Sequence, residues 1–245
     1  MIVNKNTLSP NQRLLQILMT ISSSSEPLSA QMISDQTSTP ISSVYRYITT
    51  LREWNLIEEQ HGHKRYIIGP AALQLLSNFR SFSPLSEGVR PVLKRLQNQT
   101  GEMSAYMVPV GFCALCVEMV ESPHALRCSY QQGQSQPLIL GASSKVLLAQ
   151  FSEKRLLATL AHFGIKEECE RTKWLVELQQ IKQDGYALST SEFDPGVSSV
   201  SAPVFLNKKV VGAISVMAPE ERINHKKNSI IFNVLQAARA LPPEW

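Results

Sequence analysis

Three thiols and an imidazole, Cys113-Ala114-Leu115-Cys116 with His124 and Cys128, have the residue types of a zinc site. The run from Phe112 to Val120, however, reads as one continuous strand, which turns Cys113 and Cys116 to opposite faces where a zinc knuckle needs a turn. Buried thiols are expected there, with no metal and no cofactor. Ser143 or Ser144 beside Lys145 has the components of a Ser–Lys hydrolase, and Glu192 with Asp194 those of a carboxylate pair. Neither has its framework: S-x-x-K spacing, a G-x-S-x-G elbow and an accompanying histidine motif are all missing, as are phosphate-loop and dinucleotide fingerprints. Glu192 and Asp194 precede Pro195-Gly196, so they are expected to cap or solvate a loop, and catalysis is not expected.

A second constellation is polar without being catalytic. Ser42 and Ser43 are small hydroxyl residues that permit close approach to a surface, and Arg46, one helical turn later, can fork onto a guanine edge or a phosphate. Tyr45 can add a hydroxyl or a packing contact, and spacing does not decide whether Tyr45 or Tyr47 faces outward. Farther on, His63, Lys64 and Arg65 offer charge to phosphates; His61-Gly62-His63 has the makings of a weak chelate but is equally well a turn tip.

These groups need scaffolding. Ser9-Pro10 supplies an N-cap and a first-turn proline for a helix whose apolar positions are Leu14, Leu15, Ile17, Leu18 and Ile21. A serine-rich break precedes a short helix capped by Ser29, and Pro40 precedes a third whose Ile41, Val44, Ile48 and Leu51 recur at helical spacing. Strands at 56–60 and 63–68 around a tight turn at Gly62 form a hairpin, and Pro70 opens a helix with an apolar stripe of Leu73, Leu76 and Phe79. Three short helices and a hairpin are the order of a winged helix-turn-helix. Beyond residue 84 helices and strands alternate: a helix at 85–99, strands near 103–110, 112–120 and 125–130, and helices near 143–150, 153–161 and 174–184. Strands near 186–190, 198–206 and 210–217 and a helix near 228–240 complete an α+β or α/β domain.

The 245 residues carry a formal net charge of +4, with 43% hydrophobic and 18% charged residues, which is globular rather than disordered material and fits a weak attraction to polyanions. No stretch approaches the apolar length of a membrane helix and no leader-like segment opens the chain, so a soluble cytoplasmic protein is expected.

Several stretches together resemble the IclR family of bacterial transcription regulators. Thr37-Ser38-Thr39-Pro40-Ile41-Ser42-Ser43-Val44-Tyr45-Arg46 is similar to that family's turn and recognition helix, with Ser38 where a glycine is usual. Arg65-Tyr66-Ile67-Ile68-Gly69-Pro70, Val120-Glu121-Ser122-Pro123, Gly185-Tyr186-Ala187, Glu192-Phe193-Asp194-Pro195-Gly196-Val197 and Gly212-Ala213-Ile214-Ser215-Val216 extend the likeness over nearly the whole chain. The resemblance implies a winged helix at residues 1–69, a linker helix at 70–83 and a GAF-like domain with a mainly antiparallel sheet at 84–245. It also implies homodimers or tetramers and a small organic metabolite as effector; a dimer with two recognition helices in successive major grooves would read a pseudo-palindromic double-stranded DNA operator, and a repressor is expected ahead of an activator. The DNA-facing set is then Thr39, Ser42, Ser43, Tyr45, Arg46, His63, Lys64 and Arg65.

For the effector, an apolar strand-like run Leu138-Ile139-Leu140 leads to small residues and a helix start, where free amides suit a carboxylate; a simple cap by Ser143 or Ser144 explains the same residues. The resemblance implies a pocket at Ala142 and Ser143, with Ser189 where an acid is frequent, Ser199 where a cysteine is frequent, and Val197, Ser215 and Met217 as walls. Ser199 and Ser201 share one strand face. The alternative is a small-molecule signalling module whose winged helix contacts protein rather than DNA.

Overall fold

The computed structural model describes residues 8–60, 62–82 and 85–241, and the chain divides into two compact units, Met1–Ser83 and Pro84–Trp245. In the first, Ser9 caps α1 (Pro10–Ser22): its side chain accepts from the Gln12 amide while the Gln12 side chain accepts from the Ser9 amide. Ser29 caps α2 (Ala30–Thr37), accepting from Met32 N–H at 3.2 Å. Ser38 takes φ 52° at the end of α2, so the position where glycine is usual is left-handed in this chain as well. Helix α3 (Ile41–Glu53) follows.

β1 (Leu28–Ser29), β2 (Ile57–Gln60) and β3 (Arg65–Ile68) form an antiparallel sheet in the order β1-β3-β2. The two-residue β1 has no periodicity of its own and exists because β3 pairs with it, Leu28 opposite Tyr66. Gly62 and Lys64 have φ 85° and 47°, so the turn is wider than the tight one expected, and His63 and Lys64 lie in it rather than in the return strand. His61 falls outside the described residues. Ile17, Ile21, Leu28, Ile33, Val44, Tyr47, Ile48, Leu51, Ile57 and Tyr66 make the core. Leu15 and Ile41, read from spacing as apolar-face positions, are exposed. Helix α4 (Ala71–Phe82) closes the unit, and its Leu73, Leu76 and Phe79 are exposed as well.

The second unit is a six-stranded antiparallel sheet ordered β6-β5-β4-β9-β8-β7: β4 (Met103–Val110), β5 (Cys113–Val120), β6 (Ser135–Pro137), β7 (Ala187–Thr190), β8 (Val197–Leu206) and β9 (Lys209–Pro219). Helices α5 (Leu85–Thr100) and α9 (Glu220–Arg239) cover one face over Tyr106, Val200, Ile214 and Val216. The other face carries α6 (Ala142–Leu148), α7 (Glu153–His162) and α8 (Glu168–Asp184) over Met103, Ala105, Met107 and Ala213. Each aliphatic side chain fully buried this way contributes about 1.5–3 kcal/mol. The architecture is α+β, a winged helix-turn-helix and a helix followed by an antiparallel GAF-like sheet domain.

Residues 125–130 form no strand; the third strand of that half is β6, ten residues on. The run Leu138-Ile139-Leu140 is a turn. The 138–140 run is apolar because it is buried on irregular backbone, Leu138 being fully inaccessible, whereas the 125–130 stretch is mostly exposed and buries only Tyr130. Arg222, whose guanidinium donates to the Leu126 carbonyl and pairs with the buried Glu102 at 2.6 Å, fastens that stretch to the start of α9. Among the described residues no helix is long and apolar enough to cross a membrane.

Gly212 sits in β9 where a Cβ would overlap the ring of Tyr106, which is 1% exposed and has nowhere to move. Gly212→Ala should therefore destabilise the second unit by about 1–3 kcal/mol, read as a lower denaturant midpoint; an unchanged midpoint would show that the ring is free to shift.

Candidate functional site

Helix α3 divides cleanly. Val44, Tyr47, Ile48 and Leu51 are buried, while Ser42, Tyr45, Arg46 and Thr49 are exposed. The tyrosine question is settled by packing: Tyr47 is 7% exposed and Tyr45 is 54% exposed. The Arg46 guanidinium carbon lies 5.3 Å from the Tyr47 ring centroid, which braces its stem and leaves its donors directed outward. Ser43 is half-buried.

Thr39 does not share this face. It is 3% exposed in the turn before α3, where its amide donates to Ser34 O and its carbonyl accepts from Ser34 Oγ at 2.7 Å, so it shapes the turn. On the hairpin, His63 and Lys64 are exposed, whereas Arg65 is half-buried and donates to the Pro27 carbonyl at 3.2 Å. Its guanidinium is partly engaged in holding β3 to the preceding loop.

In the second unit, a partly open cavity of about 30 Å³ lies on the α6 side of the sheet. Ser189, Ser199, Val197 and Met217 line it, as does Gly141; Ala142, Ser143 and Ser215 do not. Ser215 is fully buried and bonded to Ser201 at 2.8 Å, one strand pair farther along the same face. Ala142 contributes its amide, which donates to Ser189 Oγ at 3.0 Å and Ser199 Oγ at 3.4 Å, and the two hydroxyls bond one another at 2.8 Å. Ser143 is turned to Gln136, whose side-chain amide donates to Ser143 Oγ, Ser144 Oγ and the Leu140 carbonyl. Gly141 is required beside it: φ is 80° and a Cβ would come within 2.7 Å of Gln136 Nε2.

Two of the helix-start amides, those of Gly141 and Ala142, are thus engaged. Gly141 N–H donates to Glu192 Oε2 at 3.1 Å, and Glu192 Oε1 lies 2.7 Å from Lys145 Nζ, which also meets Glu177 Oε1 at 2.7 Å. Burial disfavours charge on Lys145, but its bonds to Glu177 and Glu192 outweigh that and raise its pKa above 10.5. A raised folded-state value stabilises the fold at every pH below the unfolded value and is lost only as pH climbs through the folded one, so the cluster stays intact at neutral pH. Glu192 therefore caps the start of α6, 51 residues away in sequence, rather than a loop.

Residues that spacing did not mark complete the wall: Cys128, Tyr130, Phe193 and Asp194. Phe193 meets Tyr130 edge to face at 6.1 Å. The irregular 121–134 segment delivers Cys128 and Tyr130, and irregular backbone leaves no period in a sequence. Burial pushes the Cys128 thiol up to about 11 and the Cys116 thiol up to about 12, so both stay protonated and unreactive. Among the described residues no cluster of His, Cys, Asp or Glu is arranged to hold a metal ion.

The IclR helix-turn-helix domain matches residues 12–61, and the C-terminal domain of bacterial IclR transcriptional regulators matches residues 81–242. The chain belongs to the IclR family. It is 30% identical over 207 residues to the HTH-type transcriptional regulator BhcR of Paracoccus denitrificans, covering 82% of this chain and 74% of that one. The transcriptional repressor IclR of Escherichia coli is 25% identical over 85% of this chain and 79% of its own. A solved C-terminal domain of a transcriptional regulator from Vibrio cholerae is 55% identical, with a TM-score of 0.63, covering 66% of this chain and 99% of that domain. This IclR-family chain is accordingly a DNA-binding transcriptional regulator and not an enzyme.

Lys145→Met should cost about 1–3 kcal/mol, less than the ~3–5 of a fully buried broken pair because the Glu177 side chain is 45% exposed. Glu177→Gln should cost clearly less, since Lys145 keeps Glu192. Equal losses in chemical denaturation would mean that the two carboxylates are not held by one cation.

Proposed function

We propose that this chain is a repressor whose two copies grip a pseudo-palindromic double-stranded DNA operator and release it when a small organic metabolite enters the second-unit cavity. The observation that carries the reading is the outer face of α3, where Ser42, Tyr45 and Arg46 project while Val44, Tyr47, Ile48 and Leu51 hold the helix from behind. An arginine braced on an aromatic ring, flanked by small hydroxyls at a helix start, suits guanine edges and phosphates. His63 and Lys64 on the hairpin turn extend the contact to the backbone, with Arg65 contributing whatever its bond to Pro27 leaves free. Paired recognition helices would sit in successive major grooves about 34–36 Å apart. The Escherichia coli relative is a transcriptional repressor, which supports repression.

The effector reading rests on the cavity at Ser189, Val197, Ser199 and Met217, next to the engaged amides of Gly141 and Ala142. A carboxylate effector of the kind expected from the sequence would have to displace Glu192 to reach Gly141. Differential affinity of the ligand for two arrangements of a dimer or tetramer, worth about 1–3 kcal/mol, changes operator occupancy 5–150-fold.

Fragments of genomic DNA selected by the full chain should share a pseudo-palindrome, and Arg46→Ala should lose about 1–3 kcal/mol of affinity for it. Affinity should also fall steeply with salt. A salt-independent interaction, or equal selection by the variant, would favour a protein partner for the winged helix. In cells, Ser199→Leu should silence the operator as well as the wild type does and no longer release it under any condition that induces the wild type.

A further inference from the structure

Tyr130 is 94% buried, lines the cavity, and its hydroxyl has no hydrogen-bond partner. A buried orphan hydroxyl costs about 1–3 kcal/mol unless something satisfies it, so its retention beside a cavity points to a ligand oxygen. Burial, the nearby Cys116 and Cys113 and the Asp194 carboxylate all raise its pKa, which keeps it a donor. The serine pair offers a second donor. Ser189 and Ser199 both accept from Ala142 N–H and share one proton between them, so one of their two hydroxyl protons is left to point elsewhere.

Charge decides what kind of oxygen these donors meet. Among the described residues no Lys, Arg or His lines the cavity, and the acidic Asp194 does. The nearby cations are already engaged, Lys145 by the carboxylates of Glu177 and Glu192 and Arg222, whose charge reaches Cys128, by Glu102. An entering carboxylate would be desolvated with no partner cation and with like charges close by, which is costly. A hydroxyl group, by contrast, accepts from Tyr130 and the serine pair and donates to Asp194. We infer that the effector is a neutral, hydroxyl-rich small molecule, a polyol or small sugar, held by Tyr130, the Ser189–Ser199 pair and Asp194. The inference rests on the effector reading above and narrows it. The cavity's 30 Å³ is room for about one water, so the 191–196 loop that carries Glu192, Phe193 and Asp194 must move outward to admit the ligand.

The test is calorimetry on the full chain at fixed pH and ionic strength with matched pairs: glycerol and glycerate, ribitol and ribonate, sorbitol and gluconate. At least one neutral member should bind at least tenfold more tightly than its acid. Tyr130→Phe should weaken that binding about tenfold, the loss of one hydrogen bond, while leaving the unliganded melting temperature equal or higher because only an unpaired hydroxyl is removed. Asp194→Asn should shrink the preference for the neutral partner. Tighter binding of the acids, no binding of any neutral member at millimolar concentration, or a lower melting temperature for unliganded Tyr130→Phe would each overturn the inference. Operator release separates the two readings: acids that bind and release DNA leave the effector function standing without this ligand class, whereas a neutral ligand that binds without changing operator affinity leaves the site standing and removes the control.

Discussion

Both faces of the six-stranded sheet are covered by helices, so the central strands of the second unit cannot bring a polar side chain to water. Every hydroxyl on β4, β8 and β9 must find a partner inside the protein. Ser104 donates to the Leu93 carbonyl on the α5 side, Ser201 and Ser215 pair on the α6 side, and Ser189 and Ser199 pair one step nearer the sheet end. The last pair also receives the Ala142 amide, which ties α6 to β7 and β8. That tie fixes where α6 begins, and with it the cavity, Gly141 and the reach of Lys145 to Glu192.

Around this anchor the protein completes its own electrostatics. Glu192 is at once the cap of Gly141 and the partner of Lys145, so a loop that looks like surface in the sequence becomes one wall of a partly open space. The cost of a buried ammonium is met by two carboxylates on different elements, and neither remains to attract a cation or to yield to an anion without disturbing the other. A ligand therefore meets hydroxyls, an aromatic pair and one exposed acid rather than a charged cradle.

The first unit is held by a different device. Its helices are short and each start is specified locally, by Ser9 with Gln12 and by Ser29, or by the proline before α3. Short capped helices need a shared core, and Tyr47 and Tyr66 bring aromatic volume to it from α3 and β3. The same burial of Tyr47 sets the rotation of α3 and so turns Tyr45 and Arg46 outward, so the proposed recognition face and the packing face are two sides of one helix.

Much of this was legible in residue order. Helix starts are local events, a serine accepting from an amide three residues on, and strand alternation is set by the backbone itself, so the helix order, the hairpin and the strands β4, β5, β8 and β9 could be read directly, whereas Ser189 and Ser199 were placed at a pocket by the family resemblance. Long-range partnership could not. Tyr45 and Tyr47 differ only in which one the core accepts; Thr39 and Ser215 are hydroxyl residues like those at the sites until burial removes them. The two-residue β1, the late β6, and Tyr130 on irregular backbone carry no period to detect. The sequence by itself determined the helices, the hairpin and the long strands, and which family they build, because those depend on neighbours a few residues away. The tertiary structure alone decided that Glu192 occupies the amide of Gly141 and that Tyr130 stands unpartnered, because hydrogen bonding and burial depend on groups that only folding brings within 3 Å.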